Sequence, residues 1–150
     1  MTDKNLTGIA GVHFVVSELS RRRIVALPTV KNTAAYDIVA VNPEGTRHAN
    51  IQVKTSSKRV NFFPMPAPEK IRAGNHDIYI LLRWIKQKGT YEVFLLTGRQ
   101  ARDAVRKTVD GQRERIQMGL RNREFPALHV GPPNVELSKK WMDAWQNWTL

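Results

Sequence analysis

Cysteine is absent from the chain, which excludes disulfide cross-links and thiolate metal sites. Long apolar runs are missing too. The longest are strand-sized, well short of the roughly 18 residues that a membrane-spanning helix needs. No signal peptide, internal repeat or low-complexity tract is visible, so the expectation is a cytoplasmic protein. Acidic residues are scarce: 13 Asp and Glu stand against 24 Lys and Arg, a net charge of +11. A field of that sign attracts polyanions, nucleic acid first among them. An acidic membrane surface fits less well, because the basic residues do not lie opposite a clean apolar face. What remains is an ordinary globular composition, 41% hydrophobic in 150 residues, enough for one domain with a core.

Two Ile- and Val-rich runs organise the first half, Ala35–Val41 and Asn50–Thr55. The turn-forming stretch Asn42-Pro-Glu-Gly45 separates them, a β-hairpin pattern. Asp37 sits at the start of this hairpin, and Gln52 and Lys54 sit near its end. Residues two apart on a strand share a face, so Gln52 and Lys54 project together while Ile51 and Val53 turn the other way. A carboxylate, an amide and a lysine converging at one hairpin end can hold a divalent cation against a phosphodiester. The bland alternative for Asp37 and Lys54 is a cross-strand ion pair.

The periodicity elsewhere predicts the frame around that hairpin. Residues 1–6 read as polar and frayed. Residues 7–22 read as an amphipathic helix with Thr7 as N-cap, and Arg21, Arg22 and Arg23 suit either its C-terminal dipole or phosphate contact. Residues 24–27 form a short strand that Pro28 closes, and 29–34 form a polar loop. After the hairpin come a basic turn with Lys58 and Arg59, a short run at 60–63, and a proline-punctuated loop over 64–76 suited to binding or to a flap. Residues 77–84 read as a buried central strand, paired with 91–96 across a turn. Thr97 caps a helix over 98–109. The proline-broken, Arg-rich stretch 110–134 excludes a long regular element, and a last helix starts near Ser138. Its Trp141, Trp145 and Trp148 suit base stacking, core packing or a dimer interface. The order of elements predicts an α/β fold, a mixed central β-sheet flanked by helices. One domain is expected over 1–150, with its core at 7–109 and a helical C-terminal extension at 110–150.

In this setting the chain resembles the PD-(D/E)XK nuclease superfamily, which has the restriction-endonuclease-like fold. It is most similar to small bacterial and archaeal members related to Holliday-junction resolvases. The resemblance covers about residues 7–96 and rests on Leu6-Thr-Gly-Ile-Ala-Gly11, Ser17-Glu-Leu-Ser-Arg21, Tyr36-Asp-Ile38 and Ile51-Gln-Val-Lys-Thr55. It implies that Asp37 is the acidic metal ligand and that Gln52 stands where the second ligand is usually Glu. It further implies that Lys54 orients the attacking water, and that the cofactor is Mg²⁺ or Mn²⁺. The family commonly adds a Glu from the first helix, and that position here is Val12. His13, about 100° round the helix from Val12, is an accessory ligand or base if anything replaces that Glu. Glu18 is better placed to pair with Arg21 or Arg22.

Three functions follow from these readings. One is a Mg²⁺-dependent endonuclease acting on nucleic acid, DNA in the first instance, with Arg21, Arg22, Arg23, Lys58 and Arg59 as backbone contacts. The second is a nucleic-acid-binding module on the same fold with a decayed metal site. The third is a homodimer whose Trp face makes an interface and whose charge meets an acidic protein.

Overall fold

The computed structural model describes residues 3–30 and 35–150. The chain runs α1 (Asp3–Arg21), β1 (Val25–Pro28), β2 (Ile38–Val41), β3 (His48–Ser56), β4 (Phe62–Pro64), β5 (Asp77–Ile85), β6 (Thr90–Thr97), α2 (Gly98–Gln117), β7 (Ala127–His129) and α3 (Val135–Asn147). Five strands form one sheet in the order β1-β2-β3-β5-β6, and β4 pairs with β7 in a separate ribbon. Within the five-stranded sheet only β3 and β5 run parallel; the other neighbours are antiparallel. The sheet is therefore mixed and flanked by helices, as the order of elements predicts.

Strand alternation assigns the two faces. Ile51, Val53, Ile78, Ile80 and Leu82 point to one side, where Val15 and Leu19 of α1 and Trp145 of α3 bury against them. Tyr79, Leu81, Phe94 and Leu96 point to the other, under Ala101, Val105 and Val109 of α2. β5 is buried on both faces, which is why its sequence is a nearly continuous apolar run rather than an alternating one. The second face is only half covered. α2 packs on β5, β6 and β7, leaving Val25 and Leu27 of β1 48% and 55% exposed. Gln52 and Lys54 lie on that second face, at the margin of the open half.

Several boundaries differ from expectation. α1 starts at Asp3, so residues 3–6 are helical rather than frayed. Thr7 lies inside the helix, donating its hydroxyl to the Asp3 carbonyl instead of capping. The expected loop 29–34 lies in part outside the described residues. α2 continues to Gln117, eight residues past the expected end. Tertiary contacts carry that extension: the Gln112 side chain bonds both the N–H and the carbonyl of Phe125, and Arg113 meets Glu124 at 2.6 Å. Thr97 does cap this helix, in a reciprocal capping box with Gln100. α3 begins at Val135, with Ser138 one turn inside it and donating back to the Asn134 carbonyl. Its Trp141 and Trp145 are 3% and 6% exposed, so this indole face packs inside the chain. The 64–76 stretch is pinned down: Met65 and Ile71 are buried and a 3-10 turn spans Pro68–Lys70.

Candidate active site

The hairpin register places the key side chains. Ile38 faces Ile51 across the β2–β3 ladder, so Asp37, one residue earlier, faces Gln52. The Asp37 N–H still donates to the Ile51 carbonyl at 2.9 Å, and its own carbonyl accepts from the Thr29 N–H at 2.9 Å. Upstream of Asp37 the chain leaves the sheet, so the next backbone donor on that edge of β3, the Val53 N–H, lies past the end of the β2 ladder. The Asp37 carboxylate takes the ladder's place: Oδ2 accepts from the Val53 N–H at 2.7 Å and from Gln52 Nε2 at 2.6 Å. An aspartate at the end of a strand thus stands in for a missing ladder carbonyl, and both contacts are charge-assisted.

Lys54 lies two residues beyond Gln52 on the same face of β3, half-buried. No ion pair joins it to Asp37 among the described residues, so the cross-strand pair that alternation alone allows is not formed. Thr55 turns the other way, under α1. A Cβ on Gly11 would come within 1.9 Å of its Oγ1, so the helix crosses β3 here with no room for a side chain. That hydroxyl is buried without a hydrogen-bond partner among the described residues.

On the α1 side of the split that opens between β2 and β3 at Asp37, a cleft of about 360 Å³ lies between Gly8, Ile9, Val12 and His13 of the helix and Pro28, Tyr36, Asp37 and Val53. Val12 is half-buried and packs against the core below it. His13 is exposed and lines the same cleft as Asp37. Among the described residues no group of three His, Cys, Asp or Glu side chains is placed to hold a metal. The oxygen donors at the split are the Asp37 carboxylate, the Gln52 amide oxygen and the Val53 carbonyl, which alternation puts on the same strand edge as its N–H.

The basic residues singled out in the sequence divide. Lys58 and Arg59 are exposed in the turn that follows β3, beyond Lys54. Arg21, Arg22 and Arg23 lie at the far end of α1, at least eight residues and about 12 Å of helix rise from His13. Arg21 pairs with Glu18 at 3.5 Å. Arg22 is engaged by α3, its guanidinium 4.1 Å over the Trp145 ring and bonded to the Trp145 carbonyl. The structure does not bring this triplet to Asp37.

It brings others there that sequence reasoning missed. Tyr36 adjoins Asp37, and Arg72 lies over its ring. Tyr79 is the β5 residue paired in register with Gln52. Burial pushes its phenol above the ordinary tyrosine range, so it stays a neutral hydrogen-bonding group at physiological pH. Lys4 lines the helix side of the cleft. Only Tyr36 carried any signal in the sequence, through its place beside Asp37.

No protein-family model and no curated protein matches the chain. A solved structure does: that of a bacterial homing endonuclease, I-Ssp6803I, superposes with a TM-score of 0.52 at 11% sequence identity. The match covers 96% of this chain and 90% of that one. The likeness is one of fold. It extends through α2, β7 and α3, well past the hairpin.

Proposed function

We propose that the chain is a metal-dependent nuclease of the PD-(D/E)XK type that acts on DNA. The observation that carries the proposal is the meeting of Asp37 with Gln52 at the split between β2 and β3, with Lys54 on the same face and in no ion pair among the described residues. The homing endonuclease of similar fold supports it, as does the charge of +11.

The donor set suits a hard cation. Mg²⁺ is commonly held by one or two carboxylates plus substrate phosphate oxygens, rather than by an all-protein cage. Asp37 supplies the carboxylate, and Gln52 supplies a neutral oxygen once its amide rotates. When bound, the metal lowers the pKa of a coordinated water and withdraws charge from the phosphoryl oxygens. Lys54 orients the attacking water and offsets charge that develops on the phosphate. Lys58 and Arg59 hold the backbone past the end of β3. The half-open second face gives the duplex room to approach.

Val12, in place of a helix Glu, favours a second reading in which the site binds DNA without cutting it. The deciding experiment is nicking and cleavage of linear and branched DNA in Mg²⁺ and Mn²⁺, with wild type beside Asp37→Ala and Lys54→Ala. Each variant is expected to lose activity by at least about 100-fold, the scale at which one electrostatic or proton-transfer group acts. Equal activity in all three would sink the site. Salt-sensitive DNA binding without cleavage of any substrate would select the second reading.

A further inference from the structure

The turn after the 3-10 segment is tethered from several directions. Ile71 is 1% exposed. Its carbonyl accepts two guanidinium N–H groups from Arg102, at 2.6 and 3.1 Å. The Arg72 carbonyl lies so close to Gly98 that a Cβ there would come within 2.2 Å of it. Asp77 Oδ2 accepts from the Gly74 N–H at 2.7 Å. Between these tethers the Arg72 backbone has little freedom.

Its side chain is exposed and reaches back across the face. The guanidinium carbon lies 4.9 Å from the centre of the Tyr36 ring, and Nη1 donates to the Tyr36 hydroxyl at 2.8 Å. Tyr36 is bonded to Asp37 in sequence and lines the same cleft. A phenol is a neutral partner. No carboxylate lies within ion-pair distance of Arg72 among the described residues; the Asp77 carboxylate on the same turn is engaged by the Gly74 N–H, and the remaining guanidinium donors can serve a ligand. Surface arginines are ordinarily mobile, and a mobile one binds a ligand at an entropic cost. This one is pre-organised by its backbone tethers and by stacking on an aromatic ring. A planar fork held in this way fits two oxygens of one phosphate.

We infer that Arg72, braced on Tyr36, forms a phosphate-binding site beside Asp37 and takes a backbone phosphodiester of the nucleic acid next to the one under attack. The inference rests on the nucleic-acid reading above and adds a contact that the Asp37, Gln52 and Lys54 constellation lacks.

The test is the salt dependence of duplex DNA affinity in EDTA, where cleavage cannot interfere, for wild type, Arg72→Ala, Arg72→Gln and Arg72→Lys. Loss of one phosphate contact lowers the slope of log K against log salt by about one. Arg72→Ala is expected to show that drop with affinity weakened about tenfold at low salt, and Arg72→Lys to recover the slope because the charge returns. Arg72→Gln keeps the stem over Tyr36 and is expected to match Ala, which separates the lost charge from any loosening of the turn. A wild-type slope and affinity in both neutral variants would overturn the inference while leaving the nuclease reading standing. A wild-type protein with no salt-dependent DNA affinity would overturn both.

Discussion

Replacing Gln52 by Glu tests the site at its closest contact. Gln52 Nε2 donates to Asp37 Oδ2 at 2.6 Å, so Gln52→Glu puts an anionic oxygen where a donor stands. Losing a hydrogen bond to a charged group costs about 1.5–3 kcal/mol. Two carboxylates roughly 3.5 Å apart at an effective dielectric of about 20 repel by about 5 kcal/mol. The pair has a cheaper escape, since the introduced carboxyl can keep its proton and donate it to Asp37 as the amide did. Holding a proton near pH 7.5 on a group whose unperturbed pKa is about 4.3 costs about 4 kcal/mol, which caps the penalty. At about 2–4 °C per kcal/mol for a chain of this length, melting near pH 7.5 falls by about 5–15 °C. The sign with pH follows from linkage. The folded-state pKa of the introduced carboxyl is raised, so the deficit is absent below about pH 4.3 and grows as pH rises towards the folded value. Near pH 5 it shrinks to about 1 kcal/mol. On the proposed reading, Asp37 and the introduced Glu would together hold a divalent ion, and excess Mg²⁺ is expected to recover melting by about 1–3 kcal/mol equivalents in the variant, more than in wild type. Thermal unfolding near both pH values, in EDTA and in Mg²⁺, reads all of this. A variant as stable as wild type near pH 7.5 in EDTA would refute the Asp37–Gln52 contact. A deficit that Mg²⁺ leaves untouched would refute the metal assignment.

Gly11→Ala drives a methyl group to within 1.9 Å of Thr55 Oγ1 and 2.9 Å of its Cβ. Overpacking of about 1–3 kcal/mol outweighs the gain of up to about 1 kcal/mol from helix propensity, so melting drops by several degrees. A rise in melting temperature would show that the helix crosses β3 with room to spare. Trp145→Ala removes an indole that is 6% exposed and stacked on Arg22, a loss of about 3–5 kcal/mol. Because Trp145 packs within the chain, the loss is expected to be independent of protein concentration in calorimetry. A concentration-dependent loss would mean that the indole serves a subunit interface instead.

The strands are largely legible because each carries its own local signal. β5 is an apolar run with both faces covered, and β2 and β3 flank a proline-glycine turn. The N-terminus of α2 is legible for a similar reason, since Thr97 is a strong capping residue. Its C-terminus is not. Residues 110–117 contribute few apolar groups, and their helicity is sustained by Gln112 and Arg113 reaching residues more than ten positions away. The β4–β7 ribbon is hidden for the same reason: Phe62 and His129 pair across a long separation that no short window registers. Trp141 and Trp145 fit either a core or a binding face by spacing alone, and only the position of β6 beneath α3 decides between them.

The site is legible to the depth that strand register reaches, and no further. Alternation and turn length bring Asp37 opposite Gln52 and keep Lys54 on the same face, all within one hairpin. Arg72 reaches Tyr36 from 36 residues away, along a segment whose prolines suggest only a loop. Val12 shows why the surroundings matter more than the motif. Its helical spacing marks it as core-facing, and it does pack on the core, yet it also lines the cleft beside Asp37 together with Ile9 and Pro28. The helix wall of the site is therefore largely apolar, and Asp37 is the one carboxylate lining the cleft among the described residues, with Lys4 beside it, Lys54 on the neighbouring strand and Arg72 on Tyr36. Such a set binds a divalent ion weakly by itself and attracts phosphate strongly. On the proposed reading, DNA then brings the missing negative charge, and metal and substrate assemble the site together.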